Sequence, residues 1–343
     1  MNLEKNINIL SLDGGGIRGI FSLKMLEHLA IYLYQDDGKI GTDMLLSNFD
    51  LICGTSTGSI IAAGLSMGKS IRELLKSYKS LGSSIFSGNT YLYAPYRFYR
   101  YYKTGDYYDG ALLYNILLKE YSSGGSKINS IKSVNGRIKL FTVATDASTN
   151  LWKPYVFRSY EIPSPCRKNY IHHLNQTKSL IESSNDIDLP LAIRASCSAP
   201  SYFSPVQFNG KTFIDGGCVC NNPTEESIFE TYKIWDDPKI CNVVSIGTGK
   251  STPKPSGTGI VNIIDEFVNY ATDPEVIHER MKEMSKIGGY SYQRFNPPEL
   301  GDIRLDESRP NVLENGEILT DRYMKSLTFE LNKLREMLIY RKD

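Results

Sequence analysis

A mainly parallel β-sheet covered by helices, an α/β fold, is the architecture this sequence predicts, and three observations carry the prediction. Short apolar runs at Ile7 to Asp13 and Phe49 to Cys53 end in glycine-rich turns, Gly14-Gly15-Gly16 and Gly54-Thr55-Ser56-Thr57-Gly58. Each turn leads into a helical segment: one places Leu23, Leu26, Ala30 and Leu33 on a single face, and the other is the small and apolar stretch Ser59 to Leu65. Further apolar runs at Ile138 to Ala144 and Cys241 to Ile246 pass into Thr145-Asp146 and Gly247-Thr248-Gly249, which supplies more central strands. Strand, turn and helix in repeated succession are the grammar of a parallel sheet with helical crossovers.

Leu189 to Ser196 and Glu226 to Tyr232 are expected to be helical, and the Pro-, Gly- and Ser-rich stretch 251–259 a loop. From Ile260 onward the pattern is mostly helical, with Lys325 to Tyr340 the clearest amphipathic case. Tyr91 to Tyr108 crowds nine aromatic rings among Arg97, Arg100 and Lys103. Such rings beside cations suit a membrane interface or a lipid entrance. The plainer reading, a cap segment whose rings pack on the sheet, is preferred.

Composition narrows the classes. The 343 residues carry 39 Lys and Arg against 38 Asp and Glu, so no global field recruits nucleic acid or an anionic membrane. The first nine residues lack the apolar core of a leader, and no apolar run approaches 18 residues, so no spanning segment is expected. The six cysteines sit mostly among apolar or small residues, as free buried thiols do, which points to a reducing, cytoplasmic setting. Cys218 and Cys220 form a Cys-x-Cys pair, but no second pair at ligand spacing supports zinc.

Gly54 to Gly58 fits Gly-x-Ser-x-Gly between a predicted strand and a predicted helix, the context in which that motif lifts a nucleophilic serine above a sheet. Ser56 then needs a base. His278 follows both Ser56 and Asp215, so the chain order Ser, Asp, His is available, although its charged surroundings are unlike those that hold a catalytic imidazole. Asp215 stands where the short strand Thr212 to Asp215 enters Gly216-Gly217, and it could approach a hydroxyl directly or simply cap a β-turn. Asp13 to Gly19, Asp-Gly-Gly-Gly-Ile-Arg-Gly, offers a run of backbone N–H groups suited to a developing oxyanion. Arg18 could hold that loop, greet a lipid phosphate or pair with Asp13. The same loop satisfies Gly-x-Gly-x-x-Gly, with Asp36 or Asp37 near the spacing expected for a ribose, which is a rival dinucleotide reading. That rival leaves Ser56 and Asp215 unexplained.

Taken together, these motifs resemble the patatin-like lipid acyl hydrolases, which include calcium-independent phospholipases A. The family's glycine-rich loop, serine elbow and Asp-Gly-Gly turn are matched in order by Asp13 to Gly19, Gly54 to Gly58 and Asp215 to Gly217. Ala195 to Pro205, Phe213 to Pro223 and Val244 to Gly249 look similar as well. The resemblance implies a three-layer α/β/α fold, with a catalytic core over residues 7–249 and a mostly helical part over 250–343 that completes or covers it. It implies a Ser56–Asp215 dyad without histidine and an oxyanion hole shaped by Gly14, Gly15 and Gly16. Arg18, Gly19, Gly54, Gly58, Gly216 and Gly217 would support the site. No cofactor or metal would enter the chemistry. The partners would be an acyl-lipid substrate and a membrane surface met transiently, with no nucleic acid. A nucleotide-binding protein and a non-catalytic lipid binder working through the Tyr91 to Tyr108 surface are the other function classes.

Overall fold

A computed structural model describes residues 6–86, 99–121, 131, 138–162, 182–235, 238–251 and 273–340. Tyr91 to Phe98, Cys166, His172, His173 and the loop expected beyond Ser251 lie outside them. The first strand, β1 (Asn6–Leu12), shows how the sheet is built. Its Ile7 and Ile9 enter one hydrophobic cluster and its Leu10 and Leu12 another. A strand whose alternate residues all find apolar partners is covered on both faces, as parallel strands are. β2 (Leu51–Thr55), buried throughout, divides the same way, with Leu51 and Cys53 on one side and Ile52 on the other.

Along the sheet the strands run β5 (Glu182–Ser184), β4 (Lys153–Arg158), β3 (Lys139–Asp146), β2, β1, β8 (Lys239–Ile246) and β9 (Ser291–Phe295). The pairs β3–β2, β2–β1, β1–β8 and β8–β9 are all parallel. β7 (Lys211–Asp215) runs antiparallel to β3 and forms a hairpin with β6 (Val206–Phe208). On one face lie α1 (Gly19–Tyr34), α2 (Lys39–Leu46), α3 (Thr57–Ser66), α4 (Ile71–Phe86), α5 (Gly110–Tyr121) and α6 (Leu189–Ser196). Opposite them lies α7 (Thr224–Ile234), with α8 (Pro274–Gly288), whose Met281 is fully buried there. The result is a mixed α/β fold of three layers around a mostly parallel sheet.

The C-terminal part, expected to be mostly helical, also contributes a strand, β9, which pairs parallel beside β8. Ser-Tyr-Gln-Arg-Phe has too few apolar positions to read as a strand alone, and the exposed backbone edge of β8 supplies what the side chains do not. The helix expected over Lys325 to Tyr340 is broken at Leu327 between α9 (Pro310–Ser326) and α10 (Thr328–Arg335). The break lets Met324 and Leu331 both enter the cluster that holds α1. Met324→Ala, which empties a fully buried site in this last segment, should lower unfolding free energy by about 2 to 5 kcal/mol in a denaturant titration. A loss below about 0.5 kcal/mol would mean that the segment is not part of the core.

Candidate active site

Two strands aimed at each other create the site. β2 pairs with one edge of β3 as far as Thr55 opposite Val143, and β4 occupies β3's other edge. At the next position, Ala144, the place of β2 is taken by β7, which arrives from the opposite direction and ends at Asp215. The chain ends of β2 and β7 therefore meet head to head along β3, with Ser56 the first residue past β2 and Asp215 the last of β7. Ser56 Oγ donates to Asp215 Oδ2 at 2.7 Å.

Ser56 pays for its place with backbone strain: φ is 51° and ψ is −121°. The flanking glycines make the turn possible. A Cβ on Gly54 would lie 2.2 Å from the Gly58 carbonyl oxygen, and one on Gly58 would lie 2.2 Å from that of Leu12. α3 can thus start directly behind the serine, at Thr57. Ser196 Oγ accepts the Ser56 N–H at 2.8 Å and itself donates to the Val143 carbonyl. On the other side, Ser198 O accepts the Asp215 N–H at 2.9 Å, while Thr145 Oγ1 donates to the Asp215 carbonyl at 2.8 Å. Buried Arg194 reaches Ser198 Oγ, the Gly110 carbonyl and the Ser204 carbonyl. Ser196, Ser198 and Arg194 fall in the segment expected to be a helix and the family-like stretch that follows it, with no site role read from the sequence.

Burial pushes the Asp215 carboxyl up to about 6, against the pull of the Ser56 hydroxyl, the Gly217 N–H at 2.7 Å and the Arg194 charge. Ser56 is partly open to solvent while Asp215 is buried. Above about pH 6 the pair is a carboxylate bonded to a reachable hydroxyl, a geometry in which the hydroxyl proton has somewhere to go.

Against this pair lies the glycine-rich loop. A Cβ on Gly14 would approach Ser56 Cβ to 3.1 Å and Asn221 Oδ1 to 2.5 Å. The Gly14 N–H is occupied by the Asn221 carbonyl at 3.2 Å, whereas those of Gly15 and Gly16 donate to no described residue. Gly16 has φ of +58°, and its carbonyl accepts from Tyr78 OH at 2.8 Å and from Thr57 Oγ1. Arg18 is half-buried and donates to the carbonyls of Gly15 and Gly301. It does not pair with Asp13, whose partner is Arg294 at 2.6 Å. No sequence signal links those two, because Asp13 follows β1 and Arg294 lies on β9, and only the sheet brings them near.

With the geometry in hand, comparison with known proteins is decisive on family. Residues 10–228 match the patatin-like phospholipase family. This chain belongs to it. Calcium-independent phospholipase A2-gamma of Homo sapiens is 28% identical over 340 residues, covering 97% of this chain and 40% of that protein. The 85/88 kDa calcium-independent phospholipase A2 of Mus musculus is 28% identical over 367 residues, again covering 97% and 40%. The chain thus spans about 40% of the length of these relatives. Among solved structures, human GIVD cytosolic phospholipase A2 aligns at a TM-score of 0.47 with 9% identity, over 97% of this chain and 60% of that one.

The remaining candidates of this patatin-like chain are engaged elsewhere. His278 Nδ1 lies 3.1 Å from Tyr292 OH, so it does not join Ser56. Asp36 holds the N–H groups of Gly38 and Gly41, and Asp37 pairs with Arg72. Gly19 opens α1, and Gly216 passes so close to β3 that a Cβ would lie 2.2 Å from the Val143 carbonyl oxygen. No described helix is long and apolar enough to cross a membrane.

Because the folded protein holds Asp215 protonated up to about pH 6 and the unfolded chain only to its ordinary 3.8, the carboxyl costs nothing below the lower value and its full penalty above the higher. Asp215→Asn, which keeps the shape and the Gly217 contact, should therefore be more stable than wild type by about 1 to 3 kcal/mol at pH 8. The advantage should vanish at pH 4. Equal unfolding midpoints at pH 8 would contradict the raised carboxyl.

Proposed function

We propose that this protein is a lipid acyl hydrolase of phospholipase A type, cleaving fatty acyl esters of glycerophospholipids with Ser56 as nucleophile and Asp215 as base. The 2.7 Å bond between Ser56 Oγ and Asp215 Oδ2, at the summit of a strained turn, is the observation that carries the reading. Names of the relatives, calcium-independent phospholipases A2, supply the substrate class.

In this mechanism Asp215 accepts the hydroxyl proton as Ser56 Oγ attacks the ester carbonyl. The negative oxygen that develops is met by the N–H groups of Gly15 and Gly16 and by the start of α3, each fixed donor worth on the order of 100 to 1000-fold in rate. Gly14 contributes by being small beside Ser56. The proton passes from Asp215 to the leaving alcohol, and an acyl-enzyme remains on Ser56. Water, giving its proton to Asp215, then releases the fatty acid and restores the serine. A carboxylate with a pKa near 6 is a better base than an ordinary one and stays ionised at neutral pH. Residues 7–249 form the catalytic core in this reading, and 250–343 complete the sheet and brace the loop. Action on membrane lipid from the cytoplasm, through transient surface contact, goes with it.

Fatty-acid release from mixed phospholipid vesicles in excess chelator is the direct test. Wild type should be active, with kcat/KM rising through about pH 6. Ser56→Ala and Asp215→Asn should each lose roughly 1000-fold or more, while His278→Ala stays within about threefold of wild type. Retained turnover in folded Ser56→Ala, or its loss in His278→Ala, would overturn the dyad.

A further inference from the structure

The loop beside Ser56 is held from a part of the chain beyond the family match at 10–228. Asp13, the residue before Gly14, donates its N–H to the Ile246 carbonyl at 3.0 Å and continues the β1–β8 ladder. Its carboxylate is buried, and Oδ2 meets Arg294 Nη2 at 2.6 Å. Arg294 stands on β9 with its side chain 2% exposed, and it is held in turn by Glu275 Oε1 at 2.9 Å from Nε and by Ser245 Oγ at 2.8 Å from Nη1. Asp13 Oδ1 is buried with no partner among the described residues, so Arg294 is the one cation in hydrogen-bonding contact with that carboxylate there. The loop's far end is tied to the same C-terminal part, the Ile17 N–H donating to the Leu305 carbonyl at 2.9 Å and Arg18 to the Gly301 carbonyl.

A buried carboxylate deprived of its cation must take up a proton or turn toward water. Any backbone shift at Asp13 that follows is passed to Gly14, which is packed tightly against Ser56 and Asn221, and on to the Gly15 and Gly16 N–H groups. We propose that Arg294 is a positioning residue for the acyl-transfer step: through Asp13 it aims the glycine-loop donors at the developing oxyanion. The inference rests on the acyl hydrolase reading above. It makes the C-terminal part a contributor to rate and not only to folding, since preorganised donors act only where the charge forms.

The experiment compares kcat, KM and thermal midpoint of wild type, Arg294→Met, Asp13→Asn and the double variant on phospholipid vesicles. Misaimed donors should cost Arg294→Met about 100-fold in kcat, with KM within about threefold. Asp13→Asn should lose kcat similarly. The double variant should be no worse than Arg294→Met alone, because both act through one contact. Arg294→Lys, which keeps a charge opposite Asp13 but not the planar fork that Glu275 and Ser245 also hold, should recover about tenfold over Met and stay below wild type. If Arg294→Met does not fold, Arg294→Lys decides, with kcat at least about fivefold below wild type and KM unchanged expected. Wild-type kcat in the Lys variant would then overturn the proposal. So would a folded Arg294→Met with a lowered midpoint and kcat within about threefold, or losses that multiply in the double variant. Absence of fatty-acid release from wild type would sink the acyl hydrolase reading together with the inference, whereas an active wild type matched by Arg294→Met would sink the inference alone.

Discussion

The register of β3 is the constraint from which the site follows. One edge of that strand is shared by β2 up to Val143 and by β7 from Ala144 onward, so two chains running in opposite directions are stopped nose to nose. Backbone hydrogen bonds set this meeting to within a residue, and a slip of one would turn the side chains at the junction to the other face. Side-chain contacts then secure what the ladder places. Ser196 ties the Ser56 amide to the Val143 carbonyl, and Thr145 ties the Asp215 carbonyl to β3 itself.

Two local costs are built into this junction. Ser56 sits in a backbone region that non-glycine residues avoid, and Asp215 is a carboxyl kept from water. Neither would persist in an isolated peptide, where the turn would relax and the carboxyl would be solvated. The packed sheet and its two apolar clusters make both tolerable, because relaxing either would break many contacts at once. Cys197 and Cys218, close to Asp215, are pushed upward by burial and by its charge, so their thiols stay neutral beside the serine.

The two halves of the chain divide the labour unequally. Ser56, Asp215 and the glycine-rich loop all come before residue 218, while the last segment gives the sheet its β9 edge, packs α9 and α10 against α1, and grips the loop through Gly301 and Leu305. Arg294 is the point at which these roles meet, lying between Asp13 at the end of β1 and Glu275 at the start of α8.

What the sequence determined by itself is what short-range chemistry compels. A serine that must turn sharply between strand and helix needs small neighbours, a donor loop needs residues without Cβ, and central strands need unbroken apolar runs; Gly54 to Gly58, Gly14 to Gly16, β1, β2, β3 and β8 were legible for those reasons. Asp215 was legible only as one of two things, a base or a turn cap, and the structure gives it both contacts, with Ser56 on one oxygen and the Gly217 N–H on the other. Beyond reach were β9, whose five residues become a strand only beside β8, the break at Leu327, and the partner of Asp13, which is Arg294 and not the neighbouring Arg18. Those were decided by tertiary structure alone, because edge pairing and buried ion pairs are chosen by what the finished sheet brings within reach, and no local pattern encodes which distant residue that will be.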